Sequence, residues 1–154
     1  DQRVRKAVGL RMNYKIDHNS ALHLGIRYYW DDWEVSSFTT SISFQQHLSE
    51  VTTIGLGIRN YFQSRAFFYK ERYDVPENFM TVDSKLDEGF SNEYQFKLSL
   101  NGGHFKSVPL LSSENVQLNL HLNFYHKRTA ARNWHSRAKD LYAYIFSFGI
   151  RYRF

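Results

Sequence analysis

The sequence predicts an all-β protein, an antiparallel up-and-down transmembrane β-barrel, and three observations predict it. Apolar and polar side chains alternate strictly over successive segments, the mark of strands with two unlike faces. Aromatic residues reach 18% while Pro is held to 2 among 154 residues, a mix that suits pleated surfaces. The last segment, ending at Phe154, sets its aromatic side chains on one face.

The segments follow in order. Val8, Leu10, Met12, Tyr14 and Ile16 alternate with Gly9, Arg11, Asn13 and Lys15, and Asp17-His18-Asn19-Ser20 then forms a short turn. Leu22, Leu24, Ile26, Tyr28 and Trp30 alternate with His23, Gly25, Arg27 and Tyr29. Phe38, Thr40, Ile42 and Phe44 stand opposite Ser37, Thr39, Ser41, Ser43 and Gln45, with a turn expected at Gln46–Glu50. Ile54, Leu56, Ile58 and Phe62 oppose Thr53, Gly55, Gly57, Arg59 and Tyr61. A long polar and aromatic stretch, Ser64 to Gly89, precedes the fifth segment, where Tyr94, Phe96, Leu98 and Leu100 oppose Glu93, Gln95, Lys97 and Ser99. Asn101-Gly102-Gly103 breaks it. The sixth sets Val116, Leu118, Leu120, Leu122 and Phe124 against Gln117, Asn119, His121, Asn123 and Tyr125, and a basic loop from Lys127 to Asp140 leads to the last strand. Each segment has about 10 residues, the length a tilted strand needs to cross hydrocarbon.

Composition narrows the function classes. There is no Cys, so neither disulfides nor thiolate metal sites are available. No apolar run approaches the ~18 residues of a transmembrane helix. A negative mean hydropathy is compatible with a barrel, because alternate residues face a polar lumen. The net charge of +5 is spread over alternate strand positions instead of forming a basic tract, so no nucleic-acid partner is expected. The 7 His show no metal-ligand spacing on one face, and no Ser-His-Asp grouping can be argued. No cofactor, metal or catalytic activity is therefore expected.

The ending is the most specific signal. Ser147, Gly149, Tyr152 and Phe154 resemble the C-terminal recognition strand of bacterial outer-membrane proteins, which the barrel-assembly machinery reads before the barrel closes. In such proteins the C-terminus is periplasmic. Counting back places the loops at Lys127–Asp140, Ser64–Gly89 and Tyr29–Val35 outside and the turns at Asp17–Ser20 and Gln46–Glu50 inside. This count gives about seven strands, an odd number for a bacterial barrel. Residues 1–154 are thus expected to be the C-terminal part of one barrel domain, with further strands before Asp1.

Three stretches carry a resemblance to a family. They are Arg27-Tyr28-Tyr29-Trp30-Asp31-Asp32-Trp33; Arg59-Asn60-Tyr61-Phe62-Gln63-Ser64 with Phe67, Phe68 and Tyr69; and Val82-Asp83-Ser84-Lys85-Leu86 before Phe90. With the ending Phe148–Phe154 they resemble the uncharacterised outer-membrane proteins catalogued as domain of unknown function 3570. In the third stretch that family tends to show Asp-(Arg/Lys)-Leu-Ser, whereas here Ser84 precedes Lys85. The resemblance implies the outer membrane of a Gram-negative bacterium and a barrel several hundred residues long. Members tend to be encoded beside small lipoproteins, thioredoxin-like proteins and flavin-transfer proteins. That implies envelope lipoprotein or periplasmic partners, but no activity.

Candidate sites follow from the alternation. Arg11, Lys15, Arg27, Arg59, Lys97, Arg151 and Arg153 share the polar face with Glu93, which points to an anion-attracting lumen or to charges paired with acids elsewhere. Trp30, Asp31, Asp32 and Trp33 form an aromatic and acidic rim, read as the cap of a tight loop or a cation site. Asp83, Asp87 and Glu88 join Glu71, Asp74, Glu77, Lys70, Arg72 and Lys85 in a mixed-charge loop. That loop, and the basic Lys127, Arg128, Arg132, Trp134, His135, Arg137 and Lys139, could meet lipopolysaccharide. The leading expectation is a channel or conduit with a basic lumen. The alternatives are a non-conducting membrane scaffold for a multi-component envelope complex and a soluble glycan-binding sandwich.

Overall fold

Alternating sequence of this kind can form one sheet only if every strand keeps its two faces in step, and the computed structural model shows that it does. Residues 3–104, 113, 115–130 and 139–153 are described. Seven strands run β1 (Arg5–Lys15), β2 (Ser20–Asp31), β3 (Ser36–Ser49), β4 (Thr52–Gln63), β5 (Gly89–Asn101), β6 (Val116–Thr129) and β7 (Asp140–Tyr152). They lie side by side in sequence order, each antiparallel to the next. The sheet is up-and-down and not closed: β1 and β7 are its two edges.

Odd-numbered residues oppose odd-numbered residues in all six ladders, except where Ser49 faces Thr52. One row crosses the whole sheet as Arg11, Gly25, Ser41, Arg59, Glu93, Tyr125 and Ala143, and another as Met12, Leu24, Ile42, Ile58, Tyr94, Phe124 and Tyr144. A slip of one residue would turn a strand's apolar set over. The one irregularity lies at the end of β3, between His47 and Ser49. The result is a mainly polar face of odd residues, with Leu141 and Ile145 as apolar exceptions, and a mainly apolar face of even ones, where Asn60 and Asn92 bond each other (2.7 Å). Within the apolar face, Tyr94 and Phe124 stack at 6.0 Å and Phe124 meets Tyr144 at 5.1 Å.

Several boundaries differ from expectation: Ser20 already opens β2, β2 runs through Tyr29 and Trp30 to Asp31, Asn101 still belongs to β5 and Asp140 already to β7. The turn anticipated at Gln46–Glu50 is strand as far as Ser49, because Gln46 pairs with Ile54 and His47 with Thr53 while the His47 amide also bonds the Asn19 carbonyl (2.7 Å). Only residues 50–51 make the turn. Lys127 is not loop either: β6 continues through Thr129, opposite Gly89. The polar stretch expected to run to Gly89 ends one residue earlier, since Gly89 already belongs to β5.

The buried apolar side chains lie mostly away from the sheet's faces. Among the described residues they are Val35, Ala66, Tyr69 and Val116, and the first three form one cluster with Tyr29, Trp33, Phe68 and Leu86. Residues 64–88 fold back over the β2–β3 turn, and the cluster lies between the two. The Ala66 amide donates to the Leu86 carbonyl (2.9 Å), Phe67 to Trp33 (3.1 Å) and Ser64 to Ser36 (2.8 Å). A single 3-10 turn at Ser84–Leu86 is capped by Asp83, whose carboxylate accepts from the Lys85 amide (3.0 Å).

Candidate functional site

Register decides which polar side chains meet. Arg11 sits on β1 and faces Gly25, Arg27 on β2 lies between Gly9 and Thr39, and Arg59 on β4 lies between Ser41 and Glu93. Gly9 and Gly25 place no side chain on this face, so a hollow of about 780 Å³ opens between the three guanidinium-bearing side chains, floored by the glycines, Thr39 and Ser41. A Cβ on Gly25 would lie 2.5 Å from the Ser41 hydroxyl, so the floor is closely fitted there.

The other cations of this face are placed apart. Lys15 lines a smaller hollow beside the β1–β2 turn with Asp17 and His47, and Lys97 another with Gln95 and Gly57. Arg151 faces Gln117 on β6. Arg153 follows β7, its amide bonds the Asn115 carbonyl (3.0 Å), and it lines a polar hollow of about 280 Å³ with Glu50 and His47. Glu93 is the acid of the sheet's centre. It lies 4.0 Å from Arg59 and accepts from Gln95 (2.9 Å) and Asn123 (3.0 Å). Among the described residues, Arg11, Lys15, Arg27, Lys97 and Arg151 make no ion pair. The structure thus gathers three of the seven basic residues around one space and distributes the rest.

At the rim, the paired acids diverge. The Asp31 side chain is fully enclosed and accepts from Arg3, the Tyr29 hydroxyl (2.6 Å), and the amides of Trp33 (3.0 Å) and Val35 (3.1 Å). Those bonds occupy both its oxygens in fixing the β2–β3 turn. Arg3 also lies over the Trp33 ring at 4.0 Å, and Trp33 meets the Phe68 edge at 5.2 Å. Asp32 instead accepts from the Val4 amide (3.1 Å) and borders an aromatic cleft of about 580 Å³ with Trp33, Phe67, Phe79 and Met80. Trp30 stacks on Tyr28 at 5.5 Å. Among the described residues no group of three or more His, Asp or Glu could hold a metal ion.

The C-terminal residues divide between the faces. Ser147 and Gly149 on β7 oppose His121 and Asn119 on the polar face, while Tyr152 opposes Val116 on the apolar one. An added Cβ on Gly149 would meet nothing within 4 Å. Phe154 lies outside the described residues, as do Arg132, Trp134, His135 and Arg137 of the basic loop.

Sequence reasoning missed Arg3 and Tyr29 as partners of Asp31, since Arg3 is 28 residues away. It also missed Asp87 as more than one member of a charged loop. The Asp87 carboxyl is buried beneath Arg65 (3.4 Å), its Oδ2 has no hydrogen-bond partner among the described residues, and burial pushes its pKa above the usual carboxylate value.

The family described as a protein of unknown function, DUF3570, matches residues 1–138. No curated protein and no solved structure matches the chain.

Proposed function

We propose that this chain, which belongs to the DUF3570 family of proteins of unknown function, forms part of the wall of a bacterial outer-membrane β-barrel whose basic lumen is a conduit for anions. The observation that carries the reading is the division of seven strands, held in one register, into a mainly polar and a mainly apolar face. Leu10, Phe146 and Ile150 on the apolar face are 70%, 66% and 61% exposed. Each such side chain left in water forgoes roughly 1.5–3 kcal/mol of burial free energy. A sheet that repeats this at alternate positions is at home against hydrocarbon.

Two further features favour the reading. Lys6, Arg128 and Asp140, the charged even residues of the strands, lie at or beside strand ends on one side of the sheet, where a strand leaves hydrocarbon for headgroups and can meet lipopolysaccharide phosphates. The outer edge of β7 offers a row of backbone groups that barrel-assembly machinery can pair with. Because β1 and β7 run in the same direction, an all-antiparallel cylinder containing this sheet needs an odd number of further strands between those edges. The role is non-enzymatic.

A second reading, a non-conducting scaffold for envelope lipoprotein or periplasmic partners, is favoured by the rim. Phe67, Phe79 and Met80 stand about half exposed around the cleft beside Asp32. Conductance of the purified protein in a planar bilayer separates the two. The conduit reading expects steady, anion-preferring current whose preference falls or reverses with Arg27→Glu or Arg59→Glu. A folded, silent protein would favour the scaffold.

A further inference from the structure

The three arginines around the central hollow are arranged for more than a general positive field, and we propose that the hollow between Arg11, Arg27 and Arg59 is a binding site for a soluble anion carrying two linked phosphate groups. The proposal deepens the conduit reading and rests on it for access to the polar face.

Arg11 and Arg27 are diagonal neighbours on adjacent strands, a spacing of roughly 7–8 Å. Arg59 stands three strands from Arg11 in the same row, about 14 Å across at the usual strand spacing. What lies between is small: Gly25 and Ser41 in that row, Gly9 and Thr39 in the row of Arg27. Long basic side chains thus surround a floor of glycines and hydroxyls, and the guanidinium groups can reach inward over it. Guanidinium forks match phosphate oxygens in pairs, and the Thr39 and Ser41 hydroxyls add donors beneath. A single phosphate would span two of the arginines, whereas a diphosphate has the length and charge to engage all three.

Nearby acids offset only part of this charge, at Arg59. Glu93 is shared among Arg59, Gln95 and Asn123, and Asp31 is held by Arg3, Tyr29 and the β2–β3 turn. Among the described residues Arg11 and Arg27 have no ion-pair partner. Arg5, on the same strand and face as Arg11 but outside the hollow, supplies a control with the same charge.

The test is calorimetric titration of the full-length protein, in uncharged detergent, with sodium pyrophosphate and separately with orthophosphate. The expected result is saturable binding, with pyrophosphate at least about tenfold tighter than orthophosphate. Arg27→Gln should weaken pyrophosphate about tenfold or more, and Arg5→Gln by less than about twofold. Gly25→Thr, which fills the floor without changing charge, should also abolish tight binding. Arg27→Lys keeps the charge, removes the fork and serves if Arg27→Gln does not fold. Equal losses from Arg5→Gln and Arg27→Gln, or full binding by Gly25→Thr, would reduce the site to a diffuse field and overturn the proposal. Competition by phosphatidylglycerol added to the micelles would reassign the site to lipid headgroups and overturn the soluble-anion assignment. Binding is measured without current, so a silent bilayer would remove the conduit and leave this site standing.

Discussion

Residues 64–88 bury Ala66 completely and leave Tyr69 only 5% exposed, whereas Tyr144 in the sheet is 84% exposed. The loop packs as a small water-soluble unit does, with an aromatic cluster, a capped turn and an enclosed carboxylate. The sheet has the opposite organisation, with its largest apolar side chains exposed on one face and most of its polar ones on the other. One chain holding both arrangements fits the proposed placement, with water at the rim and hydrocarbon along the strands.

The largest effect that can break this comparison is a charge on the apolar face. Leu122→Arg should cost roughly 2–4 kcal/mol of folding free energy in lipid, while His121→Arg, one residue along on the polar face, should stay within about 0.5 kcal/mol. Denaturant titration of refolding into vesicles reads both. Equal costs would mean that the two faces see the same surroundings.

Next comes the rim. Asp31→Ala removes the acceptor of Arg3, Tyr29 and two turn amides, and leaving such donors unsatisfied costs about 1–3 kcal/mol. Limited proteolysis should then cut within residues 64–88 while the strands stay resistant. Loss of the whole sheet would show that rim and sheet are not separable units.

The smallest effect is a pH dependence confined to the loop. Burial raises the Asp87 pKa above its unfolded value of 3.8, so the folded loop holds this proton more tightly than the unfolded chain. Loop stability should therefore be highest below pH 3.8 as far as Asp87 is concerned, fall as pH rises through the raised value, and stay level above it. Hydrogen-exchange protection of the Ala66 amide, bonded to Leu86, reports this, and Asp87→Asn should flatten the profile. A profile unchanged by the substitution would assign the dependence to other groups.

The faces of the sheet were legible in the sequence because a period of two records side-chain direction directly. Val116 to Phe124 announce their strand without help from the fold. Strand ends were less legible, since ladders join backbone groups. Gln46 and His47 look like turn residues yet pair with Ile54 and Thr53, and Lys127 reads as loop yet pairs with Ser91. The candidate sites were legible as residue types and not as groupings. Asp31 and Asp32 are adjacent in sequence, but one turns inward to Arg3 and the other toward Val4. Seven basic residues shared a face on paper. Only the register, which sets Gly25 between Arg11 and Ser41, shows that three of them surround a hollow.

The central claim is that the two faces of one sheet meet different solvents, and β6 tests it most directly. The chain has no Cys, so single cysteines can be placed from Gln117 to Phe124 in turn and spin-labelled in lipid vesicles. Collision with dissolved oxygen should peak at positions 118, 120, 122 and 124. Collision with a water-soluble nickel chelate should peak at 117, 119, 121 and 123, out of phase. Two profiles rising and falling together, or even positions shielded from both reagents, would mean that protein or water covers the apolar face, and would contradict the account.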